Sequence, residues 1–155
     1  MSDLRKTFWN EMERIAGEDE NVILLTGDLG FSFFESFAEK YPKQFINAGC
    51  MEQNMLGVAA GLARVGKRPF VYSGAIFAVM RPYEFLRDDI AYNNTNVVII
   101  GTGAADFLGF THVLGEKESL PKLLDGLPNL KQFYPNDEKE LQYALSQSGP
   151  SFIKV

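Results

Sequence analysis

Apolar positions along this chain follow two rhythms in turn, one helical and one extended. Leu4, Phe8, Met12 and Ile15 recur at helical spacing, which predicts a first helix capped by Ser2 or Asp3, reaching about residue 15 and closed by Gly17. Residues 21–26 are continuously apolar at their centre, as in a strand buried on both faces. A short helix over 32–40, stopped by Tyr41-Pro42, and a short strand over 45–47 follow. The pattern then predicts a helix beginning near Glu52, a strand over 69–73, and a helix over 79–92 with Pro82 in its first turn. Residues 97–101 form another buried strand. Residues 102–119 read as a long Gly-rich loop, 120–124 as a helical piece and 130–134 as a strand. Asp137 and Glu140 are placed as a capping box for a last helix, which Gly149-Pro150 ends before a final strand over 151–155.

Strands and helices alternate throughout, so the expected architecture is α/β, a parallel sheet flanked by helices on both faces. In such sheets ligands collect at the carboxyl ends of the strands. Asp28, Glu52, residues 73–77 and residues 102–112 all fall at or near such ends. The 155 residues suit one domain, with no repeat or linker.

One stretch stands apart. From Asn47 to Phe77 a glycine turn delivers a carboxylate, Glu52, to the start of a helix built from Gly57, Ala59, Ala60, Gly61, Leu62 and Ala63. So many small residues let backbones approach closely, so the helix is expected to be buried. Its carboxylate is then expected to be partly desolvated, with a raised pKa and a specific partner.

Charge narrows the classes of partner. The net charge of -5 and a sequence pI near 4.9 argue against general nucleic-acid binding. No apolar run reaches the 18 residues or so that a membrane span needs. One cysteine, Cys50, excludes an internal disulfide and fits a cytoplasmic location, as does an N-terminus without a signal-peptide core. Thirteen Phe and six Tyr exceed what one small core uses, which points to an interface.

The run Asn47-Ala-Gly-Cys-Met-Glu52-Gln-Asn-Met-Leu-Gly-Val-Ala-Ala-Gly-Leu-Ala resembles the pyrimidine-binding domain of the transketolase family of thiamine diphosphate enzymes, and the resemblance extends from Arg5 to Phe152. It implies that Glu52 is catalytic, hydrogen-bonding a ring nitrogen of the cofactor's aminopyrimidine and so activating the thiazolium carbon. It implies that Phe77 packs on the pyrimidine face and that Asp28 and Leu29 lie beside the cofactor. Arg5 and Ser32 match the positions that hold a sugar phosphate. His112, in Gly-Phe-Thr-His, matches a histidine that faces the substrate's oxygens. Bland alternatives stand beside each of these: a helix-capping glutamate, a core phenylalanine, a turn aspartate, a solvated arginine and a structural histidine.

Departures from the family pattern carry information too. Gly74 stands where an aromatic is common, and Leu108 where an acidic residue reads the donor's hydroxyl. The Gly-Asp-Gly…Asn pattern that holds diphosphate and Mg²⁺ is broken at Gly27-Asp28-Leu29. The resemblance therefore implies half a site. Diphosphate and Mg²⁺ (or Ca²⁺) would be held by a partner subunit, most simply in an α2β2 assembly, and the family's C-terminal domain is not in this sequence. The reaction implied is transfer of a two-carbon ketol unit from a sugar phosphate or related carbonyl donor to an aldehyde. The alternatives are a 2-oxo acid decarboxylase or dehydrogenase subunit, and a non-catalytic partner of a transketolase.

Overall fold

A computed structural model describes residues 4–103 and 119–155. The expectations for Leu108 and His112 lie outside these residues. Six strands form one sheet in the order β2-β1-β3-β4-β6-β5, and every pairing is parallel. They are β1 (Val22–Thr26), β2 (Phe45–Asn47), β3 (Arg68–Gly74), β4 (Val98–Thr102), β5 (Lys131–Phe133) and β6 (Ser151–Lys154). β1 and β4 are buried at every residue, as continuously apolar central strands require.

Helices cover both faces. α1 (Leu4–Glu18), α2 (Phe34–Lys40) and α7 (Glu138–Ser146) pack on one, around Phe8, Met12, Phe37, Phe70 and Ile153. α3 (Glu52–Arg64), α4 (Ala75–Met80), α5 (Tyr83–Phe85) and α6 (Leu120–Leu124) pack on the other, around Leu25, Leu56, Val71, Ile99 and Phe152. The expected α/β architecture is the observed one. Asp137 caps α7 by accepting from the Glu140 N–H at 2.9 Å; the Glu140 carboxylate reaches back to the Asn136 N–H instead of that of Asp137.

Two expectations need correction. The helix placed over 79–92 begins at Ala75, directly after β3, so the segment 73–77 expected as a strand-end loop is the end of β3 and the start of a helix. It then breaks, because Pro82 has no N–H to continue the ladder, and resumes at Tyr83. Residues Leu86–Tyr92 widen into π-helical turns, a form that periodicity alone does not distinguish from α. Secondly, α3 is not buried all round. Glu52, Met55, Leu56, Ala59 and Ala60 face inward, while Asn54, Gly61 and Arg64 are exposed and Val58 is 39% exposed. Of the small residues that suggested burial, Ala59 and Ala60 are buried, while Gly57 and Ala63 are half-buried and Gly61 is exposed.

Because β1 turns to β2 on one side and its chain returns to β3 on the other, the sheet has a switch point between β1 and β3. Their carboxyl ends, Thr26-Gly27 and Ser73-Gly74, therefore open a crevice. Further along, Gly101 allows Phe152 and α4 to close on the sheet. A Cβ there would stand 2.7 Å from the Phe152 ring and 3.0 Å from the Ala75 backbone. Gly101→Ala should accordingly cost about 1–3 kcal/mol through overpacking, read from urea denaturation, and Gly101→Ala combined with Phe152→Leu should recover part of that loss.

Candidate active site

Two loops and one helix end build the site. At the end of β2, Asn47 accepts the Gly49 N–H through its side-chain oxygen at 3.0 Å and donates to the Asp28 carboxylate at 3.1 Å. The chain then turns through Gly49 at φ +70° and enters α3. Glu52 is the first residue of that helix. Its position at the positive end of the helix dipole favours a carboxylate. Opposite, β3 runs directly into α4, which carries Phe77.

The carboxylate of Glu52 is buried, the residue being only 2% exposed. Its partner is Arg81. One guanidinium nitrogen, Nη1, donates to both carboxylate oxygens, at 2.9 and 3.1 Å. The same guanidinium lies over the Phe77 ring, with Cζ 4.0 Å from the ring centroid. Glu52 and Phe77 thus meet on one flat, N–H-bearing group. A cavity of about 390 Å³, lined by Phe133, Tyr134 and Tyr143 among others, lies at the far edge of the sheet and holds none of these residues.

Gly74 explains how Phe77 is seated. A side chain at 74 would begin 3.1 Å from the Phe77 ring, so the missing aromatic leaves the space that Phe77 uses. At Gly27 a Cβ would make only ordinary contacts with Ser73, Met55 and the Gly49 carbonyl, at 3.4 to 3.7 Å. The Ser73 hydroxyl beside it is fully buried and has no hydrogen-bond partner among the described residues.

The other positions fall into two groups. Asp28 is exposed at φ +58° and is joined to the start of α3 through Asn47; Leu29 is half-buried, its N–H and carbonyl both held by the Thr26 hydroxyl. Asp28 lies at the crevice, whereas the Leu29 side chain packs on the other face of the sheet, with the cluster around Phe8 and Phe37. Arg5 and Ser32 lie toward the opposite face of the sheet. Ser32, at φ +72°, donates its N–H to Glu35 at 3.0 Å. Arg5 stands close enough to Lys154 to act on it: burial first, and this neighbouring cation after it, push the Lys154 ammonium below its ordinary value. His112 is outside the described residues, so the structure brings together Glu52 and Phe77 with Asp28 adjoining, and sets Leu29 on the other face. Among the described residues no group of three or more His, Cys, Asp or Glu is placed to hold a metal ion.

Arg81 escaped the sequence reading for a definite reason. It follows Phe77 by four residues, one helical turn, and so shares its face. Starting the helix at 79 instead of Ala75 left Phe77 outside it and hid that relation.

Comparison with known proteins decides the family. Residues 1–149 match the family described as the transketolase pyrimidine-binding domain. The chain belongs to that family. It is 31% identical over 157 residues to a putative transketolase C-terminal section of Methanocaldococcus jannaschii, covering 98% of this chain and 50% of that protein. It is 32% identical over 160 residues to the 6-deoxy-6-sulfo-D-fructose transketolase subunit SqwH of Clostridium sp. strain MSTE9, covering 98% and 49%. A solved split-gene transketolase, described as an inactive beta4 tetramer, superposes with a TM-score of 0.82 at 34% identity, covering 97% of this chain and 50% of that one. A transketolase from Pichia stipitis at 20% identity shares the fold, with a TM-score of 0.80. The chain spans about half the length of the first two curated relatives.

The two glycines around Glu52 separate two costs. Gly49 has open space for a Cβ but a positive φ, so Gly49→Ala should destabilise by about 1 kcal/mol through backbone strain alone. Gly61 has open space inside a helix, so Gly61→Ala should stabilise the isolated chain by roughly 0.5–1 kcal/mol. Thermal unfolding of the two variants, which should shift in opposite directions, checks both.

Proposed function

We propose that this chain is the pyrimidine-binding subunit of a split, thiamine diphosphate-dependent transketolase-like enzyme. The observation that carries this reading is the convergence of a buried carboxylate and a phenylalanine ring on one flat, N–H-bearing group. An aminopyrimidine has that shape and those edge groups. Glu52 and Phe77 would hold the ring, with Asp28 at its edge. Bound there, thiamine diphosphate would supply a carbon nucleophile, the chemistry needed to transfer a two-carbon unit from a ketose-type donor to an aldehyde.

This chain's own contribution is positional and electrostatic. Glu52 keeps an acceptor fixed at the helix start, away from water, where a proton can be held at the carboxylate. Phe77 fixes the ring plane. Ser73, buried and without a partner among the described residues, leaves one further hydroxyl at the floor of the crevice. Arg5, which acts on Lys154 as a neighbouring cation, would meet an anionic substituent of the substrate. Ser32 and His112 complete the substrate side of the reading.

Diphosphate and Mg²⁺ (or Ca²⁺) are assigned to a partner subunit in an α2β2 assembly. Support comes from the broken metal pattern at Gly27-Asp28-Leu29, from the open face of α3 and from relatives named as transketolase subunits. The synthase relatives favour a second reading. A 1-deoxy-D-xylulose-5-phosphate synthase of Shouchella clausii is 35% identical over 142 residues, covering 89% of this chain and 22% of the synthase. A 2-oxo acid donor therefore deserves testing beside ketose phosphates.

The reconstituted complex tests the assignment. Glu52→Ala, folded as judged by circular dichroism, should lower turnover at least about 100-fold. Retained turnover would refute the role of Glu52. Pyruvate turned over in preference to ketose phosphates would move the assignment to the second reading.

A further inference from the structure

Arg81 satisfies in the lone chain both groups assigned to the cofactor ring. Its guanidinium donates to both oxygens of Glu52 at 2.9 and 3.1 Å and covers the Phe77 ring at 4.0 Å. The carboxylate has lone pairs to spare for a second donor. The face of Phe77 does not: a guanidinium in van der Waals contact with the ring fills the place a stacked heterocycle would take. Resting on the assignment of Glu52 and Phe77 to the cofactor, we propose that Arg81 is a placeholder for the pyrimidine ring, which must be displaced when thiamine diphosphate binds.

The geometry supports this in three ways. Glu52 is 3% exposed at its side chain, so a charge there needs a donor whenever the ring is absent. The Arg81 side chain is 39% exposed, so it can withdraw into water without first being desolvated elsewhere. Its backbone closes α4 immediately before Pro82, where the helical ladder stops, so the side chain can move without unwinding a helix on both sides. The guanidinium also mimics the ring it would replace, being planar, apolar on its faces and N–H-bearing at its edge.

A placeholder has a thermodynamic sign opposite to that of a binding residue. If the ring-competent state is only a fraction of the population, the observed affinity is reduced by that fraction, and removing the competitor restores it. The test is calorimetric titration of thiamine diphosphate, with Mg²⁺, onto the chain assembled with its diphosphate-binding subunit. Arg81→Met should tighten binding about five- to tenfold, and the cofactor should raise the melting temperature of that variant more than that of the natural protein. Arg81→Lys, which keeps a charge for Glu52 but lacks the flat fork, should fall between the two and serves if Arg81→Met does not fold. Weaker or unchanged binding in these variants, while Glu52→Ala binds poorly, would overturn the placeholder and make Arg81 a static ion pair or a ring contact. Should Glu52→Ala bind the cofactor as well as the natural protein, the cofactor assignment itself fails, and the placeholder with it.

Discussion

A carboxylate out of water cannot be left alone, and the site is arranged around that constraint. Glu52 is held inside by its place at the start of α3, with Met55 and Leu56 packing one turn on and Ala59 and Ala60 behind them. The residue that neutralises it comes from the end of α4, across the crevice. Removing either member would leave the other without its compensation, and the buried member carries the larger penalty. The pair is therefore best understood as a charge kept ready, with its counter-ion supplied from the more exposed side. Phe77 adds the geometric half: it fixes the plane in which the compensating group must lie.

The sheet explains why these groups meet at all. A parallel sheet sends all its strand ends, with the turns that follow them, to one side. Here β2, β1 and β3 stand side by side, so the turns after Asn47, Thr26 and Gly74 are neighbours. Small residues let them close up. Gly49 makes the turn into α3, and Gly74 gives room to the Phe77 ring. Carboxylate and ring end on opposite walls of one crevice because the strands that precede them, β2 and β3, flank β1 in the sheet, not because they are close in sequence.

Much of this was legible in the chain. Continuous apolar runs at 21–26 and 97–101 gave central strands because burial on both faces removes alternation. Glu52 was recognisable because a carboxylate set between a glycine turn and a run of small residues is unusual. Three things were not legible. Residues 74–78 are buried throughout and read equally as strand end or helix, so the start of α4 was misplaced and Arg81 went unnoticed with it. The π-helical turns after Phe85 follow from no side-chain period. The face of α3 bearing Val58 and Gly61 looked like core because composition reports how closely a helix can be approached, not by what.

That last distinction ties the open helix to the occupied crevice. A chain that forms half a pocket has to be stable before its other half arrives. An apolar helix face can wait in water at modest cost when its residues are small, since little area is exposed per residue. A buried charge cannot wait in the same way, because its desolvation is set by its own surroundings and not by the partner's. The two problems thus call for different solutions within one chain: a glycine such as Gly61 where a surface stays open, and a borrowed cation where a carboxylate must stay closed. An arginine answers the second because its flat, charged group satisfies the acid and the aromatic ring together. A lysine would meet the charge and leave the ring face bare.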